Sequence, residues 1–120
     1  MTKLQSAATS GNKKKTLLAL RDEIWLSIND QKTGGRDIAA LSMRWIEISH
    51  EISDIPRDGL VLLRDRLVNA IERSDSGRDI AAMSRRLIDV LNELEALPDE
   101  SAKLNPAQRA REMVRNRGSS

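Results

Sequence analysis

Two clusters of cations are the residues of this sequence best suited to act on a partner. Lys13-Lys14-Lys15 forms one; Arg109, Arg111, Arg115 and Arg117 form the other. Such side chains neutralise phosphates in a salt-dependent way and do not read bases. Neither cluster holds an aromatic ring on which a base could stack. The chemistry they offer is capture of a polyanion by its backbone.

Bond-breaking groups are not assembled in the pattern. His50 is the single histidine and cysteine is absent, so a zinc site has no pair of ligands of that kind. Glu93 and Glu95 are two residues apart and fall on different faces of a helix, which rules out a paired-carboxylate site. Ser42 and Ser84 recur without a base at helical spacing and read as small residues beside a packing seam. Gly34-Gly35, Gly59, Gly77 and Gly118 match no phosphate-loop pattern. The expectation is a protein that is not an enzyme, with no catalytic residues, no metal site and no cofactor, and with His50 on the surface.

The elements that position the cations are set by a repeat. Gly35-Arg36-Asp37-Ile38-Ala39-Ala40-Leu41-Ser42 returns forty-two positions later as Gly77-Arg78-Asp79-Ile80-Ala81-Ala82-Met83-Ser84. Leu20-Arg21-Asp22 is matched by Leu63-Arg64-Asp65, and Ile55-Pro56 by Leu97-Pro98. Self-similarity over this length marks one supersecondary unit used twice.

Apolar spacing makes each unit a pair of helices. Leu17, Leu20, Ile24 and Ile28 predict a helix over 13–30. Ile38, Leu41, Trp45, Ile48 and Ile52 predict one over 36–53. Leu60, Leu63, Leu67 and Ile71 predict one over 58–74, and Ile80, Met83, Leu87, Val90 and Leu94 one over 78–97. Gly34-Gly35 and Asp75-Ser76-Gly77 break the chain within each unit, and Pro56 and Pro98 end each unit. Ser76 with Asp79 fits a helix start signal, whereas Gly34 offers no side-chain cap. Short turns force antiparallel neighbours. The predicted fold is all-α: two tandem αα-hairpins, repeat 1 over 13–56 and repeat 2 over 57–98, in an up-down-up-down four-helix bundle-like domain. Residues 1–12 read as a disordered basic arm. Residues 99–120 read as a basic tail with room for a short helix over 106–117.

Charge follows this division. Residues 1–20 carry four lysines and no acid; 21–98 carry eleven basic and fifteen acidic side chains; 99–120 carry five basic and three acidic. An acidic body thus bears two basic arms. No apolar run approaches the roughly 20 residues that span a bilayer, and no apolar leader opens the sequence. A cytoplasmic protein without membrane contact is expected.

The two units differ in a telling way. Leu26 and Met43 fall opposite their helices' seams, where the second copy has Asn69 and Arg85. Both tryptophans, Trp25 and Trp45, lie in the first copy. Leu62 on the third helix reduces the contrast. Apolar character on two sides, with tryptophan as a frequent anchor, makes Trp25, Leu26, Met43 and Trp45 the candidate interface of a homo-oligomer.

Residues 77–91, with Leu63-Arg64-Asp65 upstream, resemble small helical proteins of actinobacterial phages and prophages described as terminase small subunits. That pattern is a Leu-Arg-Asp helix, a short acidic turn, then an Arg-Asp-x-Ala-Ala-Leu-Ser-Arg helix. The resemblance implies a non-enzymatic DNA-packaging role. Such subunits bind viral DNA, form rings, and regulate a large terminase subunit that holds the ATPase and nuclease. Here the unit is doubled and no DNA-reading domain is recognisable ahead of it. The resemblance therefore assigns DNA contact to the basic arms and ring contact to the hairpins, in the cytoplasm of a host cell. The alternative is a protein-binding module of viral or mobile-element origin, such as an inhibitor of a host defence enzyme, working through the acidic body.

Overall fold

The computed structural model describes residues 2–98. Every regular element among them is a helix: α1 Lys3–Thr9, α2 Lys13–Asn29, α3 Gly35–Glu51, α4 Arg57–Arg73 and α5 Gly77–Ala96. Four of these correspond to the four predicted helices, and they form an all-α, four-helix bundle-like domain.

The N-terminal segment corrects the expectation of disorder. Thr2 and Gln5 form a reciprocal capping box that starts α1: the Thr2 hydroxyl accepts from the Gln5 amide at 3.1 Å, and Gln5 Oε1 accepts from the Thr2 amide at 2.9 Å. A turn through Gly11, at φ +74°, reverses the chain. Leu4 and Ala7 then rest half-buried, Thr16 donates to the Ala7 carbonyl at 3.1 Å, and Lys3 reaches Asp22 at 2.9 Å. A low apolar content hid this helix, because two half-buried side chains suffice when a neighbouring helix supplies the other wall. Residues 99–120, with the helix expected over 106–117, lie outside the described residues.

Chain direction alternates from α2 to α5, but the neighbours are not those of a square bundle. There, helices of like direction sit on a diagonal. Here α3 and α5 pack side by side and parallel. Gly35 at the start of α3 lies against Asp79 and Met83 near the start of α5. At the other end, His50 shares a 2.7 Å hydrogen bond with Glu93. The reason is small residues on the facing sides, Gly35, Ala39 and Ala82, which let two backbones approach. The helix α2 packs antiparallel on α3, and α4 on α5. The α4 helix also leans across the bundle, where Arg66 Nε donates 2.8 Å to the Ile28 carbonyl at the end of α2.

The core lies between these helices. Ile28, Leu60, Leu63, Leu67, Met83 and Val90 have no exposed surface, and Ile38 almost none. Each contributes on the order of 1.5–3 kcal/mol by leaving water. These are the residues of the predicted stripes, so the helical period located the core side of each element.

Two glycines occupy sites of close approach. A Cβ on Gly59 would stand 2.8 Å from Trp45 Cζ2, and one on Gly35 would stand 2.9 Å from Asp79 Cβ. Gly77, the repeat partner of Gly35, has nothing within 4 Å. Gly59→Ala and Gly35→Ala are therefore expected to destabilise by about 1–3 kcal/mol each, from overpacking. Gly77→Ala should stay within about 0.5 kcal/mol of wild type. Urea titrations of the three variants check this; equal effects at Gly35 and Gly77 would mean that the repeats pack alike.

Candidate functional site

The lysine cluster sits where α2 begins. Asn12 caps that helix by accepting from the Lys15 amide at 3.0 Å. The first turn then presents Lys13, Lys14 and Lys15 to solvent beside the positive end of the helix dipole. Their availability differs. Lys13 Nζ pairs with Glu51 Oε1 at 2.9 Å across to the end of α3. That hydrogen bond, and then the charge attraction, raises the Lys13 ammonium above its ordinary value and lowers the Glu51 carboxyl. The Glu51 contribution is present above the ordinary carboxylate pKa and is lost as pH falls through its lowered value. Solvent screening keeps it small, since both groups are in water. Lys14 and Lys15 make no ion pair among the described residues. The second cation cluster, Arg109, Arg111, Arg115 and Arg117, lies outside the described residues.

The four candidate interface residues separate by position. Leu26 stands 65% exposed on α2. Met43 is half-buried beside α5, and Trp25 is half-buried against Trp45, ring centroids 6.1 Å apart and planes inclined by 47°. Trp45 departs from the expectation: it is 3% exposed and belongs to the core. The cause is its place on the α3 seam, which turns it inward toward Gly59 of α4 and Arg21 of α2. Four further apolar side chains are exposed without having been singled out as interface: Leu62 at 54%, Val68 at 38%, Ile88 at 59% and Leu91 at 45%. Ile88 and Leu91 are one turn apart, so they share a face of α5.

Around Trp45 lies the polar constellation that the sequence concealed. The Arg21 guanidinium stands 5.6 Å from the Trp45 ring centroid. Its Nη1 donates to the Asp54 carbonyl at 2.7 Å and to Ser49 Oγ at 3.1 Å, and its Nη2 meets Asp54 Oδ2 at 3.2 Å. The end of α3 aims these acceptors. Asp54 N donates to Ser49 O and Ser53 N to His50 O, both at 3.0 Å, which is a Schellman closure with Ser53 at φ +54°. A serine there holds the left-handed geometry at a cost of roughly 1–2 kcal/mol. The repeat partner of Arg21, Arg64, instead bonds its neighbour Asp65 at 3.0 Å. The matching Leu-Arg-Asp triplets thus carry different duties, and the sequence signal for it was the mismatch downstream, where Ser49 and Asp54 have Leu91 and Ala96 as partners.

The remaining polar groups do structural work. His50 is exposed and ties α3 to α5 through Glu93. Ser42 is buried and returns its hydroxyl to the Ile38 carbonyl at 2.7 Å. Among the described residues no three His, Cys, Asp or Glu side chains group to hold a metal ion, and no helix is long and apolar enough to cross a membrane. Comparison with protein-family models, with curated proteins and with solved structures finds no match to the chain.

Proposed function

We propose that the chain is a non-enzymatic DNA-packaging subunit of the small-terminase kind, which assembles with copies of itself and engages DNA, and a large terminase subunit, through basic residues. The observation that carries the reading is the set of large apolar side chains left outside a closed core: Leu26, Leu62, Val68, Ile88 and Leu91. Single exposed apolar residues are ordinary. An adjacent pair on α5, with others on α2 and α4, gives a small domain several faces on which a second copy could remove apolar area from water. Exposed Lys14 and Lys15 add cations that no acid of the described residues neutralises.

The test has two arms. In sedimentation at tens of micromolar, roughly, wild type is expected as a discrete oligomer and Leu26→Asn/Ile88→Asn as smaller species. A monomeric wild type removes the assembly half of the proposal. In the second arm, duplex DNA binding is titrated with salt for wild type and for Lys14→Ala/Lys15→Ala. Neutralisation is preferable to truncation, because α1 packs on α2 and its removal would disturb the helix under study. Loss of about one phosphate contact per lysine should flatten the slope of log K against log salt by about 0.9 for each. DNA binding that is absent at low salt removes the packaging half.

A further inference from the structure

Parallel packing of α3 and α5 makes a groove on the side of the bundle away from α2 and α4, and the two copies of the repeat line it. Ala39, Ala40 and Met43 of α3 and Ala82 of α5 form the floor of this open depression of about 400 Å³. Four arginines stand around it: Arg36 and Arg44 from α3, Arg85 and Arg86 from α5. Glu47 is the single carboxylate among the lining residues, and it pairs with Arg44 at 2.8 Å. Asp89 lies beside Arg86 at 3.4 Å, and the Arg86 side chain is only 16% exposed. Arg36 and Arg85 are exposed and make no ion pair among the described residues. Two guanidinium groups are thus engaged and two are uncommitted, on one face of a body whose overall balance is acidic.

We propose that this groove binds the phosphodiester backbone of duplex DNA. The inference deepens the packaging reading and rests on it, but it moves the principal DNA contact from the arms to the body. Charge complementarity selects the ligand class. A guanidinium is a planar fork that matches phosphate oxygens in pairs and keeps its charge at all relevant pH values. Arg36 and Arg44 are two helical turns apart, about 12 Å. That length spans several phosphates of one strand, at roughly 3.4 Å of helix axis each. The alanine floor brings a backbone close and supplies no donor or acceptor to read a base, and the lining residues include no aromatic ring. Binding is therefore independent of sequence and sensitive to salt.

The experiment uses the full chain and a mixed-sequence DNA duplex, with affinity measured against salt concentration. Two variants probe the groove. Arg36→Gln/Arg85→Gln removes the uncommitted charges, and Ala40→Glu puts a carboxylate on the floor at an exposed position. Circular dichroism melting checks that both keep the fold. The first variant is expected to lower affinity by 10- to 100-fold, on the order expected near 0.1 M salt, and to flatten the salt slope by about 1.8, the value for two phosphate contacts. Ala40→Glu should weaken binding at least as much. Wild-type DNA binding that persists in both variants, and falls only in Lys14→Ala/Lys15→Ala, overturns the groove assignment while leaving the packaging proposal intact. No DNA binding by wild type, together with groove-dependent binding of polyglutamate, overturns both and points to an acidic protein as the occupant.

Discussion

Trp45→Ala is expected to destabilise the domain by about 3–5 kcal/mol, the range for deleting a buried aromatic side chain. The ring is 3% exposed and meets three residues from two other helices: Gly59 of α4, and Trp25 and Arg21 of α2. None of these can close the void. Gly59 has no side chain, and Arg21 is fixed at Ser49 and Asp54. Total stability for a domain of this size is about 5–15 kcal/mol, so the variant should approach or cross its unfolding threshold at 37 °C. The measurement is a urea titration followed by circular dichroism and by the fluorescence of Trp25, which remains. The result also separates two roles. A packing residue, on loss, lowers the unfolding midpoint at every protein concentration. An interface residue would lower it only where the oligomer is populated. A variant that keeps its midpoint and loses only self-association would return Trp45 to the interface.

Arg21→Ala should rank second, at about 2–4 kcal/mol. Little of this comes from the ion pair itself, because Asp54 is 58% exposed and solvent screens the attraction. The larger parts are the Asp54 carbonyl and Ser49 hydroxyl left without their donor, and the space opened over Trp45. Arg21→Lys discriminates between charge and shape. Lysine keeps the charge but lacks the fork that serves both Asp54 and Ser49, so it should recover less than half of the loss. Full recovery by lysine would show that charge alone matters. Arg64→Ala is the internal control. Among the described residues its guanidinium bonds the adjacent Asp65, and its removal should cost under about 1 kcal/mol.

How much of this was readable from the residues depends on the kind of information each feature needs. The helices were, because apolar spacing of three and four and glycine or proline at the ends are local signals. Leu60, Leu63, Leu67, Met83 and Val90 fell in the core as their positions on the stripes required. The start of α5 was also legible, and Ser76 accepts from the Asp79 amide at 3.3 Å. Three things were not. The α1 helix depends on a wall supplied by α2. The direct α3–α5 pairing depends on which like-directed helices meet, and hairpin turns do not specify that. Arg21 and its acceptors are separated by up to thirty-three positions and converge only after the end of α3 has turned. The candidate sites followed the same rule. The lysine run could be seen as a run, whereas Arg36, Arg44, Arg85 and Arg86 belong together only because two helices lie side by side. Trp45 reads both as a stripe residue and as an interface candidate for a related reason: an aromatic on a seam and an aromatic at an anchor site have the same spacing until the neighbouring glycine, Gly59, is known to face it.

The parallel α3–α5 contact has a consequence for how the halves stay joined. Like helices that meet in register and in the same direction are what two separate hairpins would offer each other as partners. The link over residues 52–56 turns that encounter into an intramolecular one, with a tether short enough to give a local concentration on the order of millimolar. Dilution therefore cannot part the halves, and a lone molecule retains the whole α3–α5 face.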